Sequence, residues 1–259
     1  MPVTPSAVAV RGTPCWVSLT THDLRRAQDF YAQVLGWTFR PGGLGEEFTV
    51  ALTDGRPIAG VTALAADWQV SVAWTPYFAV ASANDAAGRI RERGATIAVG
   101  PLRLGAGRVA LAADRDGAVF GVWEGHTPAW AIGRGSAPVY LDLRTRDAFD
   151  ATIFYAEVLD WASEEPGGVE VAYEHGEVLV RDGSQVVATV RGGVMEAAPD
   201  PHIRPRWHVQ FPVEDVEKVA AAAIAAGGQA THLTPPADPA VVQALIRDPD
   251  GGLFTVTTG

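Results

Sequence analysis

The sequence has almost no cysteine. Cys15 is the only one in 259 residues, so the chain forms neither an intramolecular disulfide bond nor a cysteine-based zinc site. It also lacks an apolar run approaching the roughly 18 residues that a membrane-spanning helix needs. The first 14 residues place no basic residue ahead of a short Ala/Val stretch, unlike a secretory signal. We therefore expect a cytoplasmic protein that is neither exported nor inserted into a membrane.

Basic residues are scarce as well. Lys and Arg together number 20 against 30 Asp and Glu, which gives a net charge of -10 and a pI near 5.0. No segment carries a run of Lys or Arg, and such a chain repels a phosphate backbone. Nucleic acid is thus excluded as a partner. What the chain does have is 47% hydrophobic residues over a length sufficient for two domains with real cores.

The two halves of the chain repeat each other. Four anchors recur in the same order, namely 25–37 with 149–161, 52–61 with 180–189, RERGA (91–95) with IAAGG (224–228), and 114–122 with 248–256. The offset grows slowly from 124 to 134 residues, which indicates duplication with small loop insertions. We predict a first domain over 12–126, a Gly- and Pro-containing linker over 127–136 and a second domain over 137–259.

Each half contains the pattern of two βαβββ modules. CWVSLTT alternates as a strand, and the segment after it places its apolar residues on one helical face. Asp23 is the predicted N-cap of this helix and Gly36 its C-terminal stop, and a turn at Asp54-Gly55 joins two later strands. The pattern predicts an α+β fold. Each domain curls a mostly antiparallel sheet around a cleft and carries its helices on the outer face.

These segments resemble the vicinal-oxygen-chelate superfamily of glyoxalases, bleomycin-resistance proteins, fosfomycin-resistance enzymes and extradiol dioxygenases. The resemblance rests on A-x-x-FY-x-x-VLGW in the first helix, W-x-x-x-F-x-V before the second helix, and a DxDG turn before the last strand of each half. It covers residues 12–259 and is strongest to tandem glyoxalase-like proteins. It implies the fold and no single reaction, because this superfamily includes isomerases, transferases, oxygenases and plain binding proteins.

The resemblance also implies where a metal ion would be held. Metal-dependent members place His on the first strand, His on the fifth and Glu on the last, often with a Glu on the fourth. The corresponding residues here, first half then second, are Trp16 and Tyr140, Thr75 and His208, Gly121 and Thr255, and Ala59-Gly60 and Val187-Ala188. A divalent ion needs several ligands, and one imidazole does not supply them. We expect no metal and no other cofactor.

Strand alternation predicts which side chains share the cleft with these positions. The ligand-binding candidates of the first half are Trp16, Ser18, Thr75, Tyr77 and Trp123. Those of the second half, including the possible catalytic group, are Tyr140, Asp142, Arg144, His208, Gln210 and Thr255. The first cleft is therefore predicted to be aromatic and the second polar.

Other conspicuous residues have structural explanations. The DRDG and DPDG segments are predicted to be turns without a chemical role. Phe30-Tyr31 and Phe154-Tyr155 lie on helical core faces. Trp16 and Trp123 either line a cavity or fill it. The remaining histidines fall in caps, loops or turns and are expected to be solvated, and they are His22, His126, His175, His202 and His232.

Two functions are compatible with these residues. The first is a binding protein that sequesters an aromatic or polycyclic small molecule without reaction. The alternative is a metal-independent isomerase, cyclase or lyase in which His208, with Asp142 and Tyr140, transfers protons on an oxygenated secondary metabolite, while Arg144 holds a carboxylate or enolate. A hydrogen-bonded structural His208 is a third possibility.

Two questions stay open from the sequence. The first module can pair with the second or with the fourth, which would bring Trp16 and Ser18 opposite His208. The chain can also be a monomer or a homodimer, since duplication supplies the paired domains that single-domain relatives obtain by dimerising.

Overall fold

The structure is a computed structural model that describes residues 11–126, 139–161, 168–174, 176–193, 205–233 and 241–258. The elements of the first half are β1 Pro14–Thr20, α1 Leu24–Leu35, β2 Thr38–Pro41, β3 Phe48–Thr53, β4 Arg56–Thr62, α2 Ala65–Trp68, β5 Ala73–Ala79, α3 Ala83–Glu92, β6 Thr96–Leu104, β7 Gly107–Ala113 and β8 Val119–Glu124. Those of the second half are β9 Tyr140–Arg144, α4 Ala148–Leu159, β10 Glu170–Glu174, β11 Glu177–Asp182, β12 Gln185–Arg191, β13 Arg206–Pro212, α5 Val216–Ala225, β14 Gln229–His232, β15 Gln243–Arg247 and β16 Leu253–Thr257. The linker predicted over 127–136 lies outside the described residues.

The strands form two eight-stranded sheets of the same topology. The first sheet has the order β2-β3-β4-β1-β5-β8-β7-β6, and the second has β10-β11-β12-β9-β13-β16-β15-β14. In each module the first and last strands run parallel, while the hairpin-linked strands run antiparallel. The prediction of a duplicated α+β fold built from βαβββ modules is therefore confirmed.

The compact units of the chain do not coincide with its halves. Unit 1 comprises Met1–Trp16, Pro76–Ala137 and Leu141–Trp207. Unit 2 comprises Val17–Thr75, Pro138–Tyr140 and His208–Gly259. Each sheet keeps the two modules of one half together. By contrast, unit 2 combines the first and fourth modules, and unit 1 combines the second and third.

Unit 2 is organised around a buried Tyr31. The indole Nε1 of Trp74 donates to the Tyr31 hydroxyl at 2.8 Å, and that hydroxyl donates to Asp248 Oδ2 at 2.8 Å. Trp37 stacks on the Tyr31 ring with centroids 5.3 Å apart. Burial, followed by the negative charge of Asp248, raises the pKa of Tyr31 well above its ordinary value, so the hydroxyl stays protonated and donates.

Unit 1 repeats this arrangement around Tyr155. Trp207 Nε1 donates to the Tyr155 hydroxyl at 2.9 Å, which donates to Asp114 Oδ2 at 2.9 Å, and Trp161 stacks on the ring at 5.6 Å. Asp114 also accepts the backbone N–H groups of Asp116 and Ala118. The DxDG segments are turns, as predicted, and the first aspartate of each additionally binds the helix tyrosine.

The ends of the helices follow the predicted signals. The Asp23 side chain accepts the N–H of Arg26, and Gly36 ends α1 with a left-handed φ of 68°. The turn residues Asp54 and Gly55 both have positive φ, as a tight hairpin turn requires. None of the helices in the described ranges is long and apolar enough to cross a membrane.

Candidate functional site

Alternating burial separates the two faces of each sheet. In β13, Trp207, Val209 and Phe211 are buried in the helix-covered cores, whereas His208 and Gln210 between them are only partly buried. We call the face opposite the helix-covered core the inner face. Each module contributes its own set of side chains to this face.

The inner face of the second module, in unit 1, carries aromatic side chains that pack against glycine residues. Tyr77 pairs with Gly121, and a Cβ atom on Gly121 would lie 2.2 Å from Tyr77 Cδ1. Likewise, a Cβ atom on Gly107 would lie 2.3 Å from Trp123 Cζ2. The two rings therefore contact bare backbone, which an alanine at either glycine would prevent. Val109 lies beside Trp123 in the same register.

These aromatic side chains differ in accessibility. Tyr77 is buried, and burial, followed by the nearby Cys15, raises the pKa of its phenol. Trp123 is partly exposed, and its Nε1 donates to the carbonyl oxygen of His126 at 3.2 Å. Trp16, on β1, is also partly exposed. Trp123 and Trp16 are therefore more accessible than Tyr77.

The inner face of the first module, in unit 2, carries small hydroxyl side chains. Ser18 and Thr20 on β1 and Thr62 on β4 are buried, and within the described residues none of their hydroxyl oxygens has a hydrogen-bond partner. Thr75 on β5 is buried as well.

The inner face of the third module, in unit 1, carries an ionic cluster. Arg144 Nε donates to Asp142 Oδ2 at 2.6 Å. Arg191 Nε lies 3.7 Å from Asp142 Oδ1 and 2.7 Å from Glu177 Oε1. Asp142 is almost fully buried, while both arginines and Glu177 are about one-third exposed. Arg144, predicted to hold a substrate carboxylate, here binds a carboxylate of the protein itself.

The cluster determines the charge state of Asp142. Burial raises the pKa of this carboxyl above its ordinary 3.8, and Arg144 and Arg191 oppose the rise without cancelling it. Asp142 Oδ1 is buried without a hydrogen-bond partner in the described part of the chain. An acid–base pair with His208 would need a hydrogen bond from the imidazole to this carboxylate. That hydrogen bond is absent at Oδ1.

The inner face of the fourth module carries polar and charged side chains, and Arg206, His208 and Gln210 alternate along β13. Gln210 pairs with Thr255, and Gln243 Nε2 donates to Thr257 Oγ1 at 3.4 Å. His208 lies two residues before Gln210 on the same face, half-buried. Tyr140, on β9, is 49% exposed.

The positions at which the resemblance places a metal ion carry few metal-ligand side chains. No group of three or more His, Cys, Asp or Glu side chains suited to a metal occurs within the described residues. In the first half the positions hold Trp16, Thr75 and Gly121, none of which is a good ligand. In the second half His208 is the one strong ligand type. The residues present do not fit the ion.

The structure contains two surface grooves that the sequence did not suggest. One, of about 550 Å³, lies beside the start of α1 in unit 2, and the other, of about 350 Å³, lies beside the start of α4 in unit 1. Their walls include charged residues such as Arg26 and Arg146, and both grooves are wide open to solvent. Neither is lined by an inner-face residue.

Comparison with known proteins gives two family matches. Residues 138–257 match a glyoxalase-like domain, and residues 14–50 match a bleomycin resistance protein-like N-terminal domain. A Mycobacterium tuberculosis protein provisionally named glyoxylase, CFP32, is 30% identical over 257 residues, which covers 95% of this chain and 94% of that protein. The anthracycline biosynthesis protein DauV of Streptomyces sp. strain C5 is 29% identical, covering 95% of this chain and 92% of that protein.

Solved structures match over almost the whole chain. The Mn(II)-bound glyoxalase from Novosphingobium aromaticivorans superimposes with a TM-score of 0.56 at 16% identity, covering 97% of this chain and 83% of that one. A catechol 2,3-dioxygenase gives a TM-score of 0.56 at 15% identity, with coverages of 97% and 89%. At such identities the likeness establishes the fold.

Proposed function

We propose, from the premise that the chain belongs to the vicinal-oxygen-chelate superfamily, that it binds a planar aromatic or polycyclic small molecule without a metal ion. The observation that carries the proposal is the aromatic inner face in unit 1. There, Tyr77 and Trp123 lie against glycine backbone while Trp123 stays partly exposed. A ring surface of this kind binds flat apolar ligands by burial and stacking.

The names of relatives support this ligand class. DauV of Streptomyces sp. strain C5 and DnrV of Streptomyces peucetius, both about as long as this chain, are named for anthracycline biosynthesis. Anthracyclines are planar, polycyclic and rich in oxygen substituents. The bleomycin resistance protein-like match over residues 14–50 supports binding by sequestration.

Independence from metal is supported by residue type. Trp16 and Tyr140, on β1 and β9, cannot replace an imidazole, and Gly121 and Thr255 cannot replace a carboxylate. We expect elemental analysis of the purified protein to find well under one metal ion per chain, and a chelator to leave its thermal midpoint unchanged. About one metal ion per chain would overturn this part of the proposal.

The binding site is tested by titrating the protein with 1,4-dihydroxyanthraquinone while following tryptophan fluorescence. We expect quenching, and we expect Trp123→Ala to weaken the affinity by roughly tenfold or more, with a smaller loss for Trp16→Ala. Trp68→Ala is the matched control, because this partly exposed indole lies at the end of α2. Equal affinity in the parent and both inner-face variants would refute the aromatic site.

Acid–base catalysis by His208 is the second candidate, favoured by the position of this imidazole on the polar inner face beside Gln210. The ion pairs of Asp142 weigh against it, because they engage the carboxylate expected to assist. A catalytic base predicts that His208→Ala keeps the fold and lowers turnover by roughly 10² to 10⁴. A structural histidine predicts a loss of about 1 to 3 kcal/mol of stability, partly recovered by His208→Gln.

A further inference from the structure

The outward face of α4, in unit 1, carries an apolar stripe. Phe149, Ile153 and Ala156 follow the i, i+4, i+7 spacing that places side chains along one side of a helix. The opposite side of the helix packs into the core through Tyr155 and Val158, which are fully buried. Phe149 is 72% exposed and Ile153 is 42% exposed. Two large apolar side chains therefore lie next to each other in solvent.

The first half of the chain shows that the fold does not require this stripe. The repeat places Arg25 and Asp29 of α1 where α4 has Phe149 and Ile153. Both residues of α1 are exposed, and both helices bury the same Phe-Tyr pair against their sheets. A charged outward face is thus compatible with the fold, whereas the exposed phenyl ring and aliphatic chain of α4 are unfavourable in water. Adjacent apolar side chains at such positions indicate a surface that another protein covers.

The charges at the two ends of the stripe fit a second copy of the chain. Arg146 precedes the N-cap of α4 and Asp160 is its C-cap, and each lies seven residues from Ile153 along the chain. Their side chains are 61% and 40% exposed. If two α4 helices cross antiparallel at Ile153, Arg146 of each copy lies opposite Asp160 of the other, so opposite charges meet at both ends. A parallel pair would bring like charges together.

The apolar side chains are complementary in size in the same arrangement. With Ile153 of both copies at the crossing point, the bulky Phe149 of one helix faces the small Ala156 of the other. Large side chains that face small ones allow two helices to interdigitate at close distance. The antiparallel arrangement also places the positive end of each helix dipole beside the negative end of the other.

Both end charges have a partner within their own copy and keep capacity for a second one. Arg146 Nε lies 3.1 Å from Asp116 Oδ1, and Asp160 Oδ2 lies 3.4 Å from Arg89 Nη2. A guanidinium offers five N–H donors, and a carboxylate accepts about four hydrogen bonds. Each group can therefore form an intermolecular contact without giving up its intramolecular ion pair.

We propose that two copies of this chain associate through α4, with the helices antiparallel and Ile153 at the crossing point. The stripe is short compared with the roughly 800 Å² that each partner buries in a standard interface, so the dimer is weak and reversible. The proposal does not depend on a small-molecule ligand, because α4 covers the face of the sheet opposite the inner face.

Sedimentation equilibrium of the whole chain tests this surface. We expect a monomer–dimer equilibrium with a dissociation constant on the order of 10 to 100 µM. Phe149→Arg combined with Ile153→Asp copies the residues of α1 and should weaken association by roughly tenfold or more. Ile224→Asp is the matched control, because Ile224 is 59% exposed on α5 and lies outside the stripe. It should change the dissociation constant less than about twofold.

The antiparallel arrangement is tested by reversing the end charges. Arg146→Glu places acid opposite acid at both ends, and Asp160→Arg places base opposite base, so each substitution should weaken association by roughly three- to tenfold. An equimolar mixture of the two variants forms a heterodimer with the original ion pair at one end and the reversed pair at the other. The mixture should therefore associate about as tightly as the parent.

The outcomes distinguish this surface from any other. A parent that stays monomeric up to roughly 500 µM would overturn the proposal. A dimer that the double substitution on the stripe does not weaken would overturn it as well, because that dimer forms elsewhere. A mixture of the charge variants that associates no more tightly than either variant alone would overturn the antiparallel pairing on which the choice of a second copy rests. Weakened association of the stripe variant together with recovery in the mixture supports the proposal.

Discussion

Corresponding positions in the two sheets carry side chains of opposite character, uncharged in the first sheet and charged in the second. Ser18, Thr20 and Thr62 in the first sheet correspond to Asp142, Arg144 and Arg191 in the second, because β1 pairs with β4 as β9 pairs with β12. In the second sheet these side chains form an ion-paired cluster. In the first sheet, the corresponding side chains make no hydrogen bond within the described residues.

Duplication explains how one backbone came to hold both arrangements. Once the chain carries two copies, one copy can carry side chains that form ion pairs with one another, while the other carries uncharged hydroxyl groups at the same positions. The second sheet is therefore braced by ion pairs at these positions, and the first sheet is not. The predictions below test this contrast.

The largest effect is expected from Asp142→Ala. It removes the acid between two arginines on a mostly buried strand and should lower the free energy of unfolding by about 2 to 3 kcal/mol. The value lies below that of a fully buried pair because the arginines are about one-third exposed. Ser18→Ala at the corresponding position should change it by less than about 0.5 kcal/mol. Urea denaturation measures both, and equal losses would erase the contrast.

A smaller effect, equal in the two units, is expected from Tyr31→Phe and Tyr155→Phe. Each substitution removes one bond to a buried aspartate and leaves an indole N–H unpaired. Each should cost about 1 to 2 kcal/mol. Because the Trp–Tyr–Asp hydrogen bonds match in geometry in the two units, the two losses of unfolding free energy should agree within about 0.5 kcal/mol. A clear inequality would show that the two cores are not equivalent.

The fold was predictable because its signals are local. The caps Asp23 and Gly36, the turn at Asp54-Gly55 and the repeated helix pattern each act within a few residues, and the structure contains all of them. The composition of the two cores was not predictable. Whether the first module packs with the second or the fourth depends on long-range contacts, which no single-sequence pattern encodes.

The position of Arg191 on the inner face was not predicted from the sequence, for a more specific reason. Aligning the Asp-Gly pairs of the two halves puts Val190 at the place of Thr62. In the structure the second turn is formed by Gly183-Ser184 instead, since Asp182 pairs with Gln185 at the strand ends. A shift of one residue moves every following side chain to the other face of the sheet. Arg191, and through it Glu177, thereby joins Asp142 on the inner face.

The pH dependence of stability should have opposite signs at Asp142 and Asp250. Burial raises the pKa of Asp142, so its contribution is largest at low pH and is lost as pH rises above about 3.8. At Asp250, burial is outweighed by hydrogen bonds from His22 and Thr21, which lower the pKa. Its contribution is present above about 3.8 and is lost as pH falls. Denaturation of Asp142→Asn and Asp250→Asn between pH 3.5 and 7, compared with the parent, measures both slopes.

Slopes of the same sign would show that burial does not raise the pKa of Asp142 above its ordinary value. The Asp250 variant serves as the control, because its hydrogen bonds to the His22 N–H at 2.7 Å and to the Thr21 hydroxyl do not involve the ionic cluster. A flat response of Asp142→Asn would mean that the arginines cancel the cost of burial.

The smallest effect on stability is expected at the ion pair between each DxDG turn and the residues that follow the first strand of the other module in the same unit. In unit 2 His22 Nδ1 lies 3.2 Å from Asp250 Oδ1, and in unit 1 Arg146 Nε lies 3.1 Å from Asp116 Oδ1. Arginine is charged at every relevant pH, whereas a histidine side chain is charged only when protonated. His22→Arg should therefore raise the thermal midpoint slightly. Both side chains are more than half exposed, so the gain should stay below about 0.5 kcal/mol. Arg146→His is the reciprocal control and should lower the midpoint at pH 8. An unchanged or lower midpoint in His22→Arg would show that the permanent charge of arginine adds nothing to this contact.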